Sequence, residues 1–132
     1  MKTYAFFPAL LCILTILNGC SVTPVSEPPP SPAAQQALAN IQNHYLAGQY
    51  GAVIRTVATS DDIAMAPTTL RIEAYKLQAF SYCVRNYPQL CKETFMRILA
   101  INPDFLLMPT EAGHPQWSPA FDAAQNTINK HE

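Results

Sequence analysis

The residues best suited to catalysis or metal binding are few, and their spacing argues against both roles. The side chains closest to acid–base or metal chemistry are three histidines: His44, His114 and His131. Glu111 lies three residues before His114, but Gly113 and Pro115 interrupt any helix that would align the two side chains. The sequence has no serine in a nucleophile-elbow pattern and no glycine-rich loop for phosphate. We therefore expect a protein that is not an enzyme and uses no metal or cofactor.

An apolar run near the N-terminus predicts a secretory signal peptide. Lys2 is the only charge before a run of fourteen residues, Tyr4 to Leu17, which is broken only by Pro8 and Thr15. As a helix the run would be about 21 Å long, short of the roughly 30 Å of hydrocarbon in a bilayer. A single positive charge followed by a short apolar run is typical of a secretory signal rather than of a membrane span.

The run ends in Leu17-Asn18-Gly19-Cys20, which resembles the lipobox of bacterial lipoproteins. The resemblance implies that a diacylglycerol is attached to the Cys20 sulfur and that residues 1–19 are then removed. The mature chain would carry three acyl chains and be held at the membrane by lipid. Ser21, in place of aspartate, implies sorting to the outer membrane. The alternative is that Cys20 is an ordinary cysteine near a conventional cleavage site.

Two cysteines remain once Cys12 has left with the signal peptide and Cys20 has taken up lipid. Cys83 and Cys91 stand on either side of the turn predicted at 86–88, in an oxidising compartment, so we expect a structural disulfide. Closing this loop of about nine residues contributes about 2.6 kcal/mol at most. A zinc site lacks its other two ligands, and a redox pair would normally have two intervening residues rather than seven.

Residues 20–32 are predicted to form a lipidated, proline-rich tether. The stretch from Ser21 to Pro32 contains five of the twelve prolines and a single charge, Glu27. Such a composition favours polyproline II or disorder, with a reach of about 37 Å when fully extended. A ligand for a proline-recognition domain is the alternative interpretation.

Residues 33–132 are predicted to form one all-α domain of about five helices. Apolar residues recur at spacings of three and four, as in the stripe of Ile72, Tyr75, Ala79 and Tyr82. Ser31-Pro32 and Ser118-Pro119 each provide a helix start. No stretch alternates apolar and polar residues long enough to predict a strand.

The stretch from Ile72 to Phe105 resembles a tetratricopeptide repeat, and the stretch from Ala34 to Ala66 resembles a degenerate copy of it. The residues that carry the resemblance are Tyr75, Ala79, Tyr82, Phe95 and Pro103. The resemblance implies an array of helical hairpins whose concave face binds a partner through Gln42, Glu73 and Lys76. The alternatives are an unrelated helical bundle, and a merely solvated surface at these three residues.

The segment from Phe105 to Trp117 is long and apolar for a connection between helices. We expect it to fold back over the last helix pair, with Phe105 and Trp117 closing one end of the core. The alternative is that Trp117 and His114 stay exposed and form a binding edge, since tryptophan is enriched at interface hot spots.

The overall charge balance argues against nucleic-acid binding and leaves a protein partner. Eight Lys and Arg against nine Asp and Glu give a formal charge of −1, and only 13% of the residues are charged. Together with the two cysteines and the corner from Asn102 to Phe105, the segment through Pro119 resembles the TssQ-type tetratricopeptide-like accessory lipoproteins of type VI secretion clusters. The resemblance implies a non-enzymatic outer-membrane lipoprotein that binds a periplasmic protein. A pilotin-like or envelope-assembly lipoprotein and a small periplasmic enzyme are the alternatives.

Overall fold

The computed structural model describes residues 26–130, and all regular secondary structure in that range is helical. The predicted signal peptide, Cys20 and His131 lie outside the described residues. The helices are α1 (Pro32–Leu46), α2 (Tyr50–Thr59), α3 (Asp61–Ala64), α4 (Thr68–Val84), α5 (Pro88–Ile101) and α6 (Ser118–Ile128). The all-α prediction is confirmed. The described residues contain six helices instead of about five because the connection from Ser60 to Pro67 includes the single turn of α3.

Local capping chemistry explains where the first helix begins and where two helices end. The Ser31 hydroxyl accepts a hydrogen bond from the Ala34 N–H at 3.1 Å, and Pro32 occupies the first turn of α1. Gly48, two residues beyond the end of α1, and Asn86, two residues beyond the end of α4, are both in the left-handed region, with φ of 70° and 60°. In each case the two residues that close the helix donate back to carbonyls of its last turn, which is the Schellman pattern.

Helix α4 lies at the centre of the fold, and the other helices pack around it. One buried cluster joins α4 to α1, α2 and α3 through residues such as Ile41, Val53, Ile63 and Leu77. A second cluster joins α4 to α5 and α6 through residues such as Phe80, Phe95, Ile98 and Phe121. The arrangement of these helices as a tetratricopeptide array stays a prediction.

The α4–α5 hairpin is closed by the cysteine pair that the sequence predicted. The sulfurs of Cys83 and Cys91 lie at bonding distance, and their Cα atoms are 5.3 Å apart. The left-handed Asn86 reverses the chain between the two helices, which brings the end of α4 next to the start of α5.

No helix among residues 26–130 is long and apolar enough to cross a membrane.

The last part of the predicted tether contacts the helical domain. Residues 26–30 have no regular secondary structure, but Glu27 is hydrogen-bonded to Thr68, the first residue of α4. Pro28 and Pro29 line a small pocket with Met65 and Ala66. The chain is therefore fixed to the domain from Glu27 onward, five residues before α1 begins.

Candidate functional site

The connection between α5 and α6, which we call the α5–α6 segment (Asn102–Trp117), is ordered by its own hydrogen bonds. The Asn102 side chain accepts a hydrogen bond from the Asp104 N–H at 3.1 Å. The Met108 carbonyl accepts from the N–H groups of Glu111 and Ala112, at 2.8 and 2.9 Å. The Met108 N–H donates in return to the Glu111 carboxylate at 3.0 Å. The bonds made by the Met108 carbonyl and by the Met108 N–H form a tight turn that holds Glu111 in one orientation.

Glu111 binds the buried ammonium group of Lys76, which projects from α4. The Lys76 Nζ lies 2.8 Å from Glu111 Oε1 and 3.0 Å from Glu73 Oε2. Burial is the largest single influence and disfavours the charged ammonium, but the hydrogen bonds to Glu111 and Glu73 and the negative charges of these carboxylates together outweigh it. The pKa of Lys76 is therefore raised above its ordinary value of 10.5. One cation and two carboxylates leave this cluster with one excess negative charge.

Trp117 fixes the other end of the segment, and the prediction that it packs into the core is confirmed. Its side chain is 9% exposed and stacks on Phe80, with ring centroids 4.2 Å apart. The indole Nε1–H donates to the Glu111 carbonyl at 2.9 Å. Phe105 is half-buried against Phe121, so both ends of the segment close the core as expected.

The alternative in which Trp117 and His114 form an exposed binding edge is wrong for Trp117. His114 is half-buried and stacks on the outer face of the indole, with ring centroids 3.5 Å apart and planes within 5°. The two rings form a layered stack on Phe80, in which aromatic area is buried against aromatic area. His114 is the outermost ring of this stack.

The helix-face candidates lie in three different environments. Gln42 is exposed on α1. Glu73 is half-buried, and Lys76 is only 6% exposed. The expectation that Lys76 projects from an open face is therefore corrected. The reason is that the α5–α6 segment crosses this part of α4 and places Glu111 against the lysine.

Two apolar side chains on the segment are exposed, which the sequence did not predict. Phe105 and Leu107 face the core, whereas Leu106 and Met108 are 71% and 54% exposed. Successive side chains of residues 105–108 therefore alternate between the core and the surface. Four consecutive apolar residues gave no sign of which two would be turned outward.

A groove, which we call the α1–α4 groove, opens at the N-terminal end of α4. It has a volume of about 640 Å³, and Leu38, Leu70, Ile72 and Ile101 supply its apolar walls. The polar residues around it are Thr68, Thr69, Glu73 and Asn102. Glu73 thus connects the groove to the cluster around Lys76.

The described residues contain no group of three metal-ligating side chains close enough to hold an ion. No family model, curated protein or solved structure matches the chain. The features of the chain that bear on its function are the α5–α6 segment, the α1–α4 groove and the N-terminal motif.

Proposed function

We propose that the chain is a non-enzymatic lipoprotein of the outer membrane that faces the periplasm and binds a protein partner. Acylated Cys20 is its lipid anchor, residues 1–19 are its signal peptide, and it acts as an accessory adaptor of a type VI secretion system. The system is proposed from the resemblance to TssQ-type lipoproteins.

The observation that carries the adaptor role is the display of Leu106 and Met108 by an ordered segment. Loops that a rigid scaffold holds in place are common binding elements, because little ordering entropy is lost on association. Here the scaffold consists of the Glu111–Lys76 ion pair and the stacking of Trp117 on Phe80. Exposed apolar side chains fixed in this way favour a protein partner over a small polar ligand.

A pilotin-like escort is the second candidate, and the α1–α4 groove is the observation that favours it. An escort needs an open apolar groove for a helix of the component that it delivers. The groove walls of Leu38, Ile72 and Ile101 meet that requirement. In this case the partner would contact the groove rather than the segment.

Lipidation of Cys20 is tested by growing cells with a labelled fatty acid. The wild-type protein is expected to take up label, and Cys20→Ser is expected to take up none and to remain as precursor in the inner membrane. Cys12→Ser is the matched control, because it changes a cysteine that the anchor does not use. Equal labelling of the Cys20→Ser protein would contradict the proposed anchor.

The partner surface is tested by placing a photo-crosslinking amino acid at single positions in cells that carry a type VI system. Position 106 is expected to give an adduct with an envelope component of that system. Leu46, an exposed leucine at the end of α1, is the matched control and is expected to give none. An adduct from position 69 in the groove, but not from position 106, would support the escort instead. Adducts at neither position would contradict both proposals.

A further inference from the structure

The chain enters the domain beside the α1–α4 groove because Glu27 binds the N-terminus of α4. The Thr68 N–H donates to the two carboxylate oxygens of Glu27 at 2.9 and 3.1 Å, and the Thr68 hydroxyl also donates to this carboxylate. Pro67, which precedes α4, has no side-chain oxygen to cap the helix. The Glu27 carboxylate supplies the missing acceptor and a negative charge at the positive end of the helix dipole.

The same threonine belongs to the groove. Thr68 and Thr69 stand at its edge, and the apolar walls continue from there along α4 to Ile72. From Thr68 to Glu73 the helix rises by only about 8 Å. The groove therefore begins beside Thr68, the residue that holds the Glu27 carboxylate.

The length of chain before Glu27 is sufficient to bring Cys20 back to the groove. Cys20 precedes Glu27 by seven residues, which reach about 23 Å when extended. Residues 20–26 include no charged side chain, so nothing in this stretch opposes its lying along an apolar surface. Any acyl chain attached to the Cys20 sulfur starts within reach of the groove.

We propose that the α1–α4 groove is an internal site for one acyl chain attached to Cys20. This inference rests on the proposed lipidation and adds a second location for the lipid besides the bilayer. An acyl chain that moves between the two exchanges one apolar environment for another, so the groove can shield it while the protein is out of the membrane.

The groove fits an acyl chain better than it fits a basic amphipathic helix of a partner. Within the part of the chain that the structure describes, its walls are aliphatic, with Leu38, Leu70, Ile72 and Ile101 and no aromatic ring. Glu73 is the only charged residue among 26–130 that lines it, and this carboxylate is already paired with Lys76 at 3.0 Å. The occupant of the groove therefore has little need of a positive charge.

The test uses the mature chain from residue 20 to 132, made without lipid and with its disulfide intact. Cys20 is then the only free thiol, and it can be alkylated with a hexadecyl group. The probe is cis-parinaric acid, a fluorescent long-chain fatty acid. The unmodified chain is expected to bind one equivalent of the probe. The hexadecylated chain is expected to show an apparent Kd at least about tenfold weaker, since a tethered competitor acts at an effective concentration of about a millimolar.

Two threonine variants identify the groove as the place where the probe binds. Thr69→Phe puts a ring at the edge of the groove from an exposed position and is expected to abolish binding of the probe. Thr59→Phe makes the same change at an exposed position on α2 and is expected to bind normally. Far-UV circular dichroism of both variants verifies that they are folded.

Four outcomes would overturn the inference. In the first three, the unmodified chain does not bind the probe, the hexadecylated chain binds it as well as the unmodified chain does, or Thr69→Phe leaves binding unchanged. A dimer that Thr69→Phe abolishes would assign the groove to a second copy and would also overturn it. The assay attaches the alkyl group chemically, so its result is separate from whether cells acylate Cys20.

Discussion

Replacing Trp117 with alanine is expected to lower the free energy of unfolding by about 3–5 kcal/mol, the usual cost of deleting a large buried aromatic side chain. The change removes the stack on Phe80 and the hydrogen bond from Nε1 to the Glu111 carbonyl. It also leaves a cavity between α4 and the α5–α6 segment that the surrounding backbone cannot fill. Urea unfolding followed by far-UV circular dichroism measures the loss.

Leu106→Ala is the matched control for this prediction, since it truncates an apolar side chain of the same segment. Leu106 is largely exposed, so the free energy of unfolding is expected to change by no more than about 0.5 kcal/mol. Trp117 is the only tryptophan, and its emission in the wild-type protein is expected to be blue-shifted and resistant to acrylamide. Equal stabilities of the two variants, or emission like that of free tryptophan, would contradict the buried position.

The features that the sequence predicted correctly depend on neighbouring residues. The start of α1 follows from Ser31 and Pro32, and the pairing of Cys83 with Cys91 follows from a short turn between two helices. The packing of Trp117 follows from the apolar character of its segment. In each case, residues within about a dozen positions of one another hold the necessary information.

The features that the sequence analysis missed depend on residues far apart in the chain. Glu111 meets Lys76 across 35 positions, and Glu27 meets Thr68 across 41. The resemblance to a tetratricopeptide repeat implied that Lys76 lies on the concave face, because the repeat describes a pair of helices and not the segment that later covers one of them. One local sign was available for Glu27. It is the only charged residue of the predicted tether, and α4 begins after a proline that cannot cap it.

Replacing Lys76 with methionine is expected to lower the free energy of unfolding by about 3 kcal/mol, because removal of one partner leaves buried charge without compensation. The Glu111 carboxylate then has no cation, and it lies against the buried face of α4. This loss of unfolding free energy is at the lower end of the range for breaking a buried ion pair, because the Glu73 side chain is 37% exposed and can turn toward water. Thermal and urea unfolding of the purified domain measure it.

Glu111→Gln provides the control for this ion pair. Combined with Lys76→Met, it removes the uncompensated charge, so the double variant is expected to regain about half of the lost stability. Glu111→Gln alone keeps Lys76 paired with Glu73 and is expected to cost only about 1 kcal/mol. A double variant that is as unstable as the sum of the two single variants would show that Lys76 acts through packing alone.

The same ion pair predicts how stability changes at alkaline pH. The pKa of Lys76 is higher in the folded than in the unfolded protein, so its stabilisation is complete below pH 10.5 and is lost as the pH rises through the raised value. Burial, followed by the neighbouring Tyr50 and Glu111, raises the pKa of Tyr45 above 10.0, so ionisation of this tyrosine destabilises the fold in the same direction. The wild type and the Lys76→Met variant both keep Tyr45, whereas only the wild type keeps Lys76. The stability difference between wild type and Lys76→Met is therefore expected to be constant from neutral pH to about pH 10 and to shrink above it. A difference that stays constant through this alkaline range would mean that the charge of Lys76 does not stabilise the attached segment.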